Sequence, residues 1–364
     1  MDILVTCKMD FGTLPAKIRP LSNVNRVNKI YVLRSGDYSE PIKKVVYLNG
    51  LQNFHDYTLI RMIMTPIYMF MLTKRFNIDL ILSYHVIPYG VFAFLVSKLT
   101  GIPYNVSITG TLIHSFLTNK TLVGRFLIKV INQSIFINVP GHYSKKMLVS
   151  KNISPRKIKI LHSTVDPNQF YPRIHIKKVY DIIFIGRLER EKRLELFIDV
   201  VNNISKQIKI QTLIVGKGSL RDYLIKYTEE CKLTNEIKFI DFTEDVSTLY
   251  NKGKVFVLCS KMEALSLSVM EAMASGLPVV APNIGDLSMA IKHEENGVLI
   301  EDINVNTYSD VIIELLLNKN KYREYSRNSR KHILKNHSDE VSTRKWNQIC
   351  NTHFHPDSNK VIYC

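Results

Sequence analysis

Short apolar runs alternate with longer amphipathic stretches along nearly the whole chain. In the first half ILVTC, KIYVL, KVVYL, DLILSYH, YNVSIT, IFINVP and IKIL read as strands. Helical spacing fills most of the gaps, as over residues 56–74, 88–98 and 121–132. The second half repeats the scheme with DIIFIG, KIQTLIVG, IKFID, VFVLCS, LPVVA and GVLI. Continuous Val/Ile/Leu runs between helices mean strands buried on both faces, hence parallel sheets covered by helices. Each half holds enough units for its own doubly wound sheet. The expected organisation is α/β, with one Rossmann-like domain over residues 1–166 and another over 179–337. The stretch HSTVDPNQFYPRIHIKK, with Pro167 and Pro172, supplies a linker over 167–178. Residues 338–364 are expected to hold a helix over 340–350 and a tail, a candidate to pack back on the first domain.

A chain of 364 residues is long for one core, and 46% hydrophobic content suits a soluble globular protein. Cys7, Cys231, Cys259, Cys350 and Cys364 are scattered without CxxC spacing, so reduced thiols in a cytosolic protein are expected. The start, MDILVTCKMDFG, lacks the pattern of a signal peptide. The longest apolar runs, 62–72 and 86–96, are shorter than the roughly 20 residues that span a bilayer, so no transmembrane helix is expected.

Charge divides the chain unevenly. The formal net charge is +17, of which residues 1–172 carry +14 and the remainder +3. Such a basic half attracts phosphates of lipid headgroups, lipid-linked diphosphates or nucleic acid, or reflects a lysine-rich composition alone. No zinc-finger, RRM or homeodomain pattern supports nucleic acid.

In doubly wound sheets, ligands bind beyond the carboxyl ends of the strands. FIGRLEREK follows a strand: Gly186 permits a tight turn, and Arg187 and Lys192 bracket it. Two cations there suit a diphosphate; a solvated basic cap is the bland alternative. VGKGSL places Gly216 and Gly218 after another strand, a weak dinucleotide-like signal that also suits a plain turn. EALSLSVMEAMASGLPVVA follows VFVLCS. Ser268 and Glu271 have capping-box spacing, and Gly276 with Pro278 stops a short helix expected near 269–275. The helix start favours an anion. A cap does not account for Glu263, which precedes the helix.

These motifs resemble the retaining glycosyltransferases of family 4, which have the GT-B fold: two Rossmann-like domains with a cleft between them. Glu263 and Glu271 occupy the E-x7-E places, GRLEREK is similar to the G-R-x-x-x-x-K diphosphate clamp, and VGKGSLRDYL to the G-x-G turn. IKFIDF resembles the strand and turn facing the nucleobase, and HSTVDPNQFYP the interdomain stretch. DLILSYH and GIPYNVSITGT resemble two strand ends of the first domain. The resemblance implies that Glu271 accepts hydrogen bonds from ribose hydroxyls and that Glu263 holds donor-sugar hydroxyls beside the N–H groups of Leu265 and Ser266. Leu267 and Ser268 would offer N–H groups to the phosphates. Gly186, Gly216 and Phe242 would complete the donor site, and Arg187 and Lys192 would neutralise the leaving diphosphate. Acceptor-side candidates are Gly12, His85, Thr109 and Gly110, with His114 nearby. No D-x-D is present, so metal-independent chemistry without a cofactor is expected. The chain departs from the family pattern at Ala264 and Ser266, where glycines are usual, at Thr109, where histidine is usual, and at Asp241, where glycine is common.

The expected activity is transfer of a hexose-type sugar from a UDP- or GDP-sugar to a hydroxyl acceptor. The expected acceptor is a lipid-linked saccharide in cell-surface polysaccharide synthesis, with the protein in the cytoplasm or peripheral on the inner face of the plasma membrane. An anionic membrane surface is a candidate partner, and KTLVGRFLIK over 120–129 a candidate interfacial helix or an ordinary surface helix. The alternative is a non-catalytic GT-B protein that binds a nucleotide sugar or a polysaccharide intermediate.

Overall fold

A computed structural model describes residues 1–7, 13–34, 41–48, 58–110, 117, 120–241, 243 and 245–354, the side chains of 34, 58, 59 and 61 excepted. The chain divides into two compact units: Met1–Thr164 with Asp339–Cys364, and Val165–Ser338. Residues 167–178 therefore lie in the second unit, where Phe170 is buried.

Unit 1 runs β1 (Asp2–Cys7), α1 (Pro15–Ser22), β2 (Lys29–Arg34), β3 (Val45–Leu48), α2 (Thr58–Arg75), β4 (Ile78–Tyr84), α3 (Val91–Thr100), β5 (Tyr104–Ser107), α4 (Leu122–Gln133), β6 (Ile137–Val139), α5 (His142–Val149) and β7 (Ile158–Ile160). The strands form one parallel sheet in the order β3-β2-β1-β4-β5-β6-β7. Alternate residues of β1 enter different cores, because successive side chains of a strand point to opposite faces. Leu4 joins Met69 and Leu72 of α2, Ala93 and Val96 of α3, and Leu127 of α4. Ile3 and Val5 join Ile18 and Leu21 of α1 on the other face.

Unit 2 runs β8 (Tyr180–Ile185), α6 (Leu194–Ser205), β9 (Thr212–Val215), α7 (Arg221–Glu230), β10 (Ile237–Ile240), α8 (Val246–Lys252), β11 (Gly253–Val257), α9 (Leu267–Ala274), β12 (Val279–Pro282), β13 (Gly297–Ile300), α10 (Val305–Leu317) and α11 (Lys319–Asn336). Its parallel sheet has the order β10-β9-β8-β11-β12-β13. Ile182, Ile183 and Phe184 are wholly buried, so both faces of β8 are covered. The chain then returns to unit 1 as α12 (Asp339–His353), which packs on α1 and sets Trp346 edge-on to Phe136 with ring centroids 6.2 Å apart.

In unit 2 the strand order reverses between β8 and β11. In unit 1 it reverses between β1 and β4. At such points the loops leaving the two adjacent strands diverge to opposite sides, which opens a crevice at the carboxyl ends. Among the described residues, Cys7, Cys231, Cys259 and Cys350 are not joined in disulfides.

Candidate functional site

The loops after β8 and β11 meet at the switch point of unit 2. Lys192 ends a short 3-10 turn after β8. Its Nζ donates to Glu263 Oε1 at 2.5 Å, and Ser260 Oγ, from the loop after β11, donates to the same oxygen at 2.8 Å. Both charged side chains are nearly buried, at 13% and 10% exposure. Arg193 fastens the two loops together. Its Nε donates to the carbonyl of Cys259 at 2.8 Å, while its backbone takes the left-handed region at φ 47°. The backbone N–H of Lys261 returns a bond to the carbonyl of Glu191 at 2.7 Å.

Arg187 does not join Lys192 in an open clamp. Its guanidinium is mostly exposed and donates to Glu191 at 2.7 Å. Each candidate cation is therefore held by a carboxylate, one at the surface and one inside.

Helix α9 starts at the same crevice. Its N-cap is Ser266, in extended conformation at φ −76°, and no side chain caps it. The capping box expected of Ser268 and Glu271 is not formed, and the helix begins two residues earlier than the spacing predicts. Ser268 lies inside the first turn, 3.1 Å from the Ser266 hydroxyl, and Glu271 accepts instead from Tyr250 Oη at 2.9 Å. The physical reason is competition: Tyr250 is fully buried and its hydroxyl needs an acceptor, which Glu271 supplies. The uncapped N–H groups of the first turn remain available to an anion. Burial pushes the Glu271 carboxyl up to about 7, against a smaller lowering by the Tyr250 bond.

The replaced glycines cost this loop nothing in backbone conformation. Ala264 and Ser266 are not among the residues at positive φ. The need for glycine lies at Gly285, after β12. At φ +56°, a Cβ there would stand 1.8 Å from the Glu263 carbonyl oxygen. The neighbouring Asp286 N–H donates to the Ala264 carbonyl at 2.9 Å, so this loop braces the one carrying Glu263. Gly216 serves a comparable close approach. At φ +150° its Cβ would lie 1.9 Å from the Gly186 carbonyl oxygen, and Leu188 N–H bonds the Lys217 carbonyl at 2.9 Å. Leu265 and Leu267 pack their side chains on the core of unit 2. Asp241 is ion-paired with Arg221 at 2.8 Å, and Phe242 lies outside the described residues.

In unit 1, His85 follows β4 at the switch point with φ +80°, a strained region for a non-glycine residue. Burial lowers its imidazole pKa from the ordinary histidine range, against a raising backbone hydrogen bond at Tyr84. Thr109 lines a small pocket with Lys17, Tyr84, Ser107, Asn138, His162 and Trp346 of α12. Burial lowers the Lys17 amine to about 8. Gly110 is exposed beside this pocket, and Gly12 and His114 lie outside the described residues. Sequence reading missed Ser260, Tyr250, Arg193 and Gly285. Ser260 stood at a strand's carboxyl end and was open to the test applied to its neighbours; Tyr250 carried no local signal.

Residues 168–332 match the family model for glycosyl transferases group 1, so most of unit 2 is related in sequence to glycosyltransferases. An uncharacterized glycosyltransferase of Methanocaldococcus jannaschii is 28% identical over 195 residues, and the match spans about half of either chain. The Escherichia coli UDP-Gal:alpha-D-GlcNAc-diphosphoundecaprenol alpha-1,3-galactosyltransferase is 24% identical over 281 residues, covering 71% of each chain. Among solved structures, Anabaena HepE in complex with UDP-glucose superposes with a TM-score of 0.79 at 16% identity, over 97% of this chain and all of that one. The fold is GT-B.

Proposed function

We propose that the protein is a retaining glycosyltransferase of family 4, which moves a hexose-type sugar from a UDP- or GDP-sugar to a hydroxyl acceptor. The observation that carries this reading is the meeting of Lys192, Glu263 and the uncapped start of α9 at the switch point of unit 2. Charge accumulates on the diphosphate as the glycosidic bond breaks. Lys192 and the N–H groups of Leu267 and Ser268 are preorganised donors for that charge, which is the condition for lowering a barrier electrostatically, and the exposed Arg187 would have to turn from Glu191 to join them. Glu263 accepts hydrogen bonds from donor-sugar hydroxyls, and Glu271 from the ribose. In this scheme Lys192 acquires a phosphate partner in addition to its carboxylate.

The acceptor we propose is a lipid-linked saccharide in cell-surface polysaccharide synthesis, met at the inner face of a membrane. The E. coli relative, whose name includes a diphosphoundecaprenol-linked sugar, and the net charge of +14 over residues 1–172 support it. His85, Thr109 and Gly110 are the proposed acceptor-side residues.

The test is incubation of the pure protein with several UDP- and GDP-sugars, with and without membrane extract, reading release of the nucleoside diphosphate. Release that rises with extract is expected. Nucleotide-sugar binding without turnover across a broad acceptor panel would establish a non-catalytic binding protein instead.

A further inference from the structure

Helices α2, α3 and α4 cover one face of the sheet of unit 1, and their inner sides form its core. Their outer sides are apolar as well. On α2, Ile63 is 64% exposed, and Ile67 and Met71 follow on the same helix face at spacings of four. Leu99, at the end of α3, is 73% exposed; Leu122, at the start of α4, is 77% exposed, with Phe126 one turn on. The helices are neighbours: α2 packs on α3, and Phe94 of α3 meets Phe126 of α4 edge-on with centroids 6.0 Å apart. Singly exposed leucines need no explanation, but a patch shared by three adjacent helices does.

The charge on this layer has one sign. Residues 58–75, 91–100 and 120–133 contain seven Lys or Arg and no Asp or Glu. The amines of Lys74 and Lys98 lie over the rings of Phe70 and Phe94, 5.6 and 5.7 Å from the centroids. These cations therefore sit directly against the apolar surface of the helix layer.

We propose that the outer face of α2, α3 and α4 docks on an anionic lipid bilayer. The apolar side chains enter the boundary between headgroups and acyl chains, and the amines and guanidinium groups bind lipid phosphates. No described helix is long and apolar enough to cross the membrane, so the contact lies in the interfacial plane. A second copy of the chain fits this face poorly. A two-fold dimer would set the same cations against one another with no carboxylate between them. Nucleic acid would match the cations and leave Ile63, Leu99 and Leu122 in water. The inference gives a surface to the membrane clause of the proposed function and does not depend on the transfer chemistry.

The test is sedimentation of the full-length protein with vesicles of phosphatidylcholine alone or mixed with phosphatidylglycerol. Partitioning onto the anionic vesicles is expected to exceed that onto neutral ones by at least about tenfold. It should fall about tenfold in the double variant Leu99→Gln/Leu122→Gln, and as far in Arg125→Glu/Lys129→Glu. All four positions are exposed, so both variants should keep the wild-type melting curve and the same donor turnover in detergent-free solution. Equal binding to the two kinds of vesicle, binding to neither, or variants that bind as wild type would overturn the docking face. So would light scattering that shows a dimer dispersed by Leu122→Gln. Vesicle binding as expected in a protein without turnover would remove the transfer chemistry and leave the face standing.

Discussion

Lys192 and Glu263 lie 71 residues apart in sequence, and their side chains meet at 2.5 Å between the loops that leave β8 and β11. The pair is nearly buried, so either charge left alone there would be costly. In the proposed reaction Lys192 meets the diphosphate and Glu263 the sugar, so the contact also sets the spacing between two parts of the donor. Lys192→Ala should lower turnover by about 10²-fold or more, the usual scale for losing one preorganised transition-state donor. Nucleoside diphosphate release by the variant measures it, and a near-wild-type rate would remove Lys192 from the clamp.

Glu271 makes stability depend on pH. Its carboxyl titrates near 4.5 when unperturbed and near 7 in the folded protein. Between those values the folded state keeps a proton that the unfolded state has released, so stability falls as pH rises and levels off above about 7. The upper bound is about 3 kcal/mol, reduced because the residue keeps some contact with water. Glu271→Gln should flatten the difference in urea midpoint between pH 5 and pH 8. A variant with the wild-type slope would show that another group causes it.

Gly285→Ala tests the brace behind Glu263. The added methyl would sit 1.8 Å from a carbonyl oxygen, and the φ of +56° disfavours any side chain. The loop carrying Glu263 must then shift. Expected are a stability loss of about 2 kcal/mol or more and a fall in turnover of at least about tenfold, read by thermal melts and product release. Wild-type turnover would show that the Glu263 loop is held without this contact.

Arg193 is a positioning residue whose backbone and side chain pull in opposite directions. Its left-handed conformation costs about 1–2 kcal/mol, and its guanidinium bond to the Cys259 carbonyl offsets that. Arg193→Gly relieves the first and loses the second, so stability should change by about 1 kcal/mol or less. Turnover should nonetheless drop about tenfold, because the loops bearing Lys192 and Ser260 lose their fastening. A large loss of stability with intact turnover would assign Arg193 to folding alone.

Much of the fold is legible in the order of apolar runs along the chain. The runs DIIFIG and VFVLCS correspond to β8 and β11, and the pattern over 121–132 to α4, with Thr121 at its N-cap. The reading of Ser268 and Glu271 failed for a definite reason. Local spacing made a capping box plausible, but a buried tyrosine 21 residues upstream took the carboxylate. The helix therefore starts at Leu267 with its N–H groups free of a side-chain cap, which favours the anion site more than the expected cap would. The basic character of residues 1–172 was also visible, whereas its concentration beside exposed Ile63, Leu99 and Leu122 was not.

The sequence by itself determined two parallel sheets, because continuous apolar strands separated by amphipathic helices can be buried only between helical layers. It also determined that Arg187, Lys192 and Glu263 follow strands, since order along the chain places a residue relative to its own element. Tertiary structure alone decided that Lys192 grips Glu263, that Tyr250 claims Glu271 and that Gly285 must lack a side chain. Each of these joins elements whose nearness comes from strand order, and hydrogen bonds and steric contact act only over the few ångströms that packing creates.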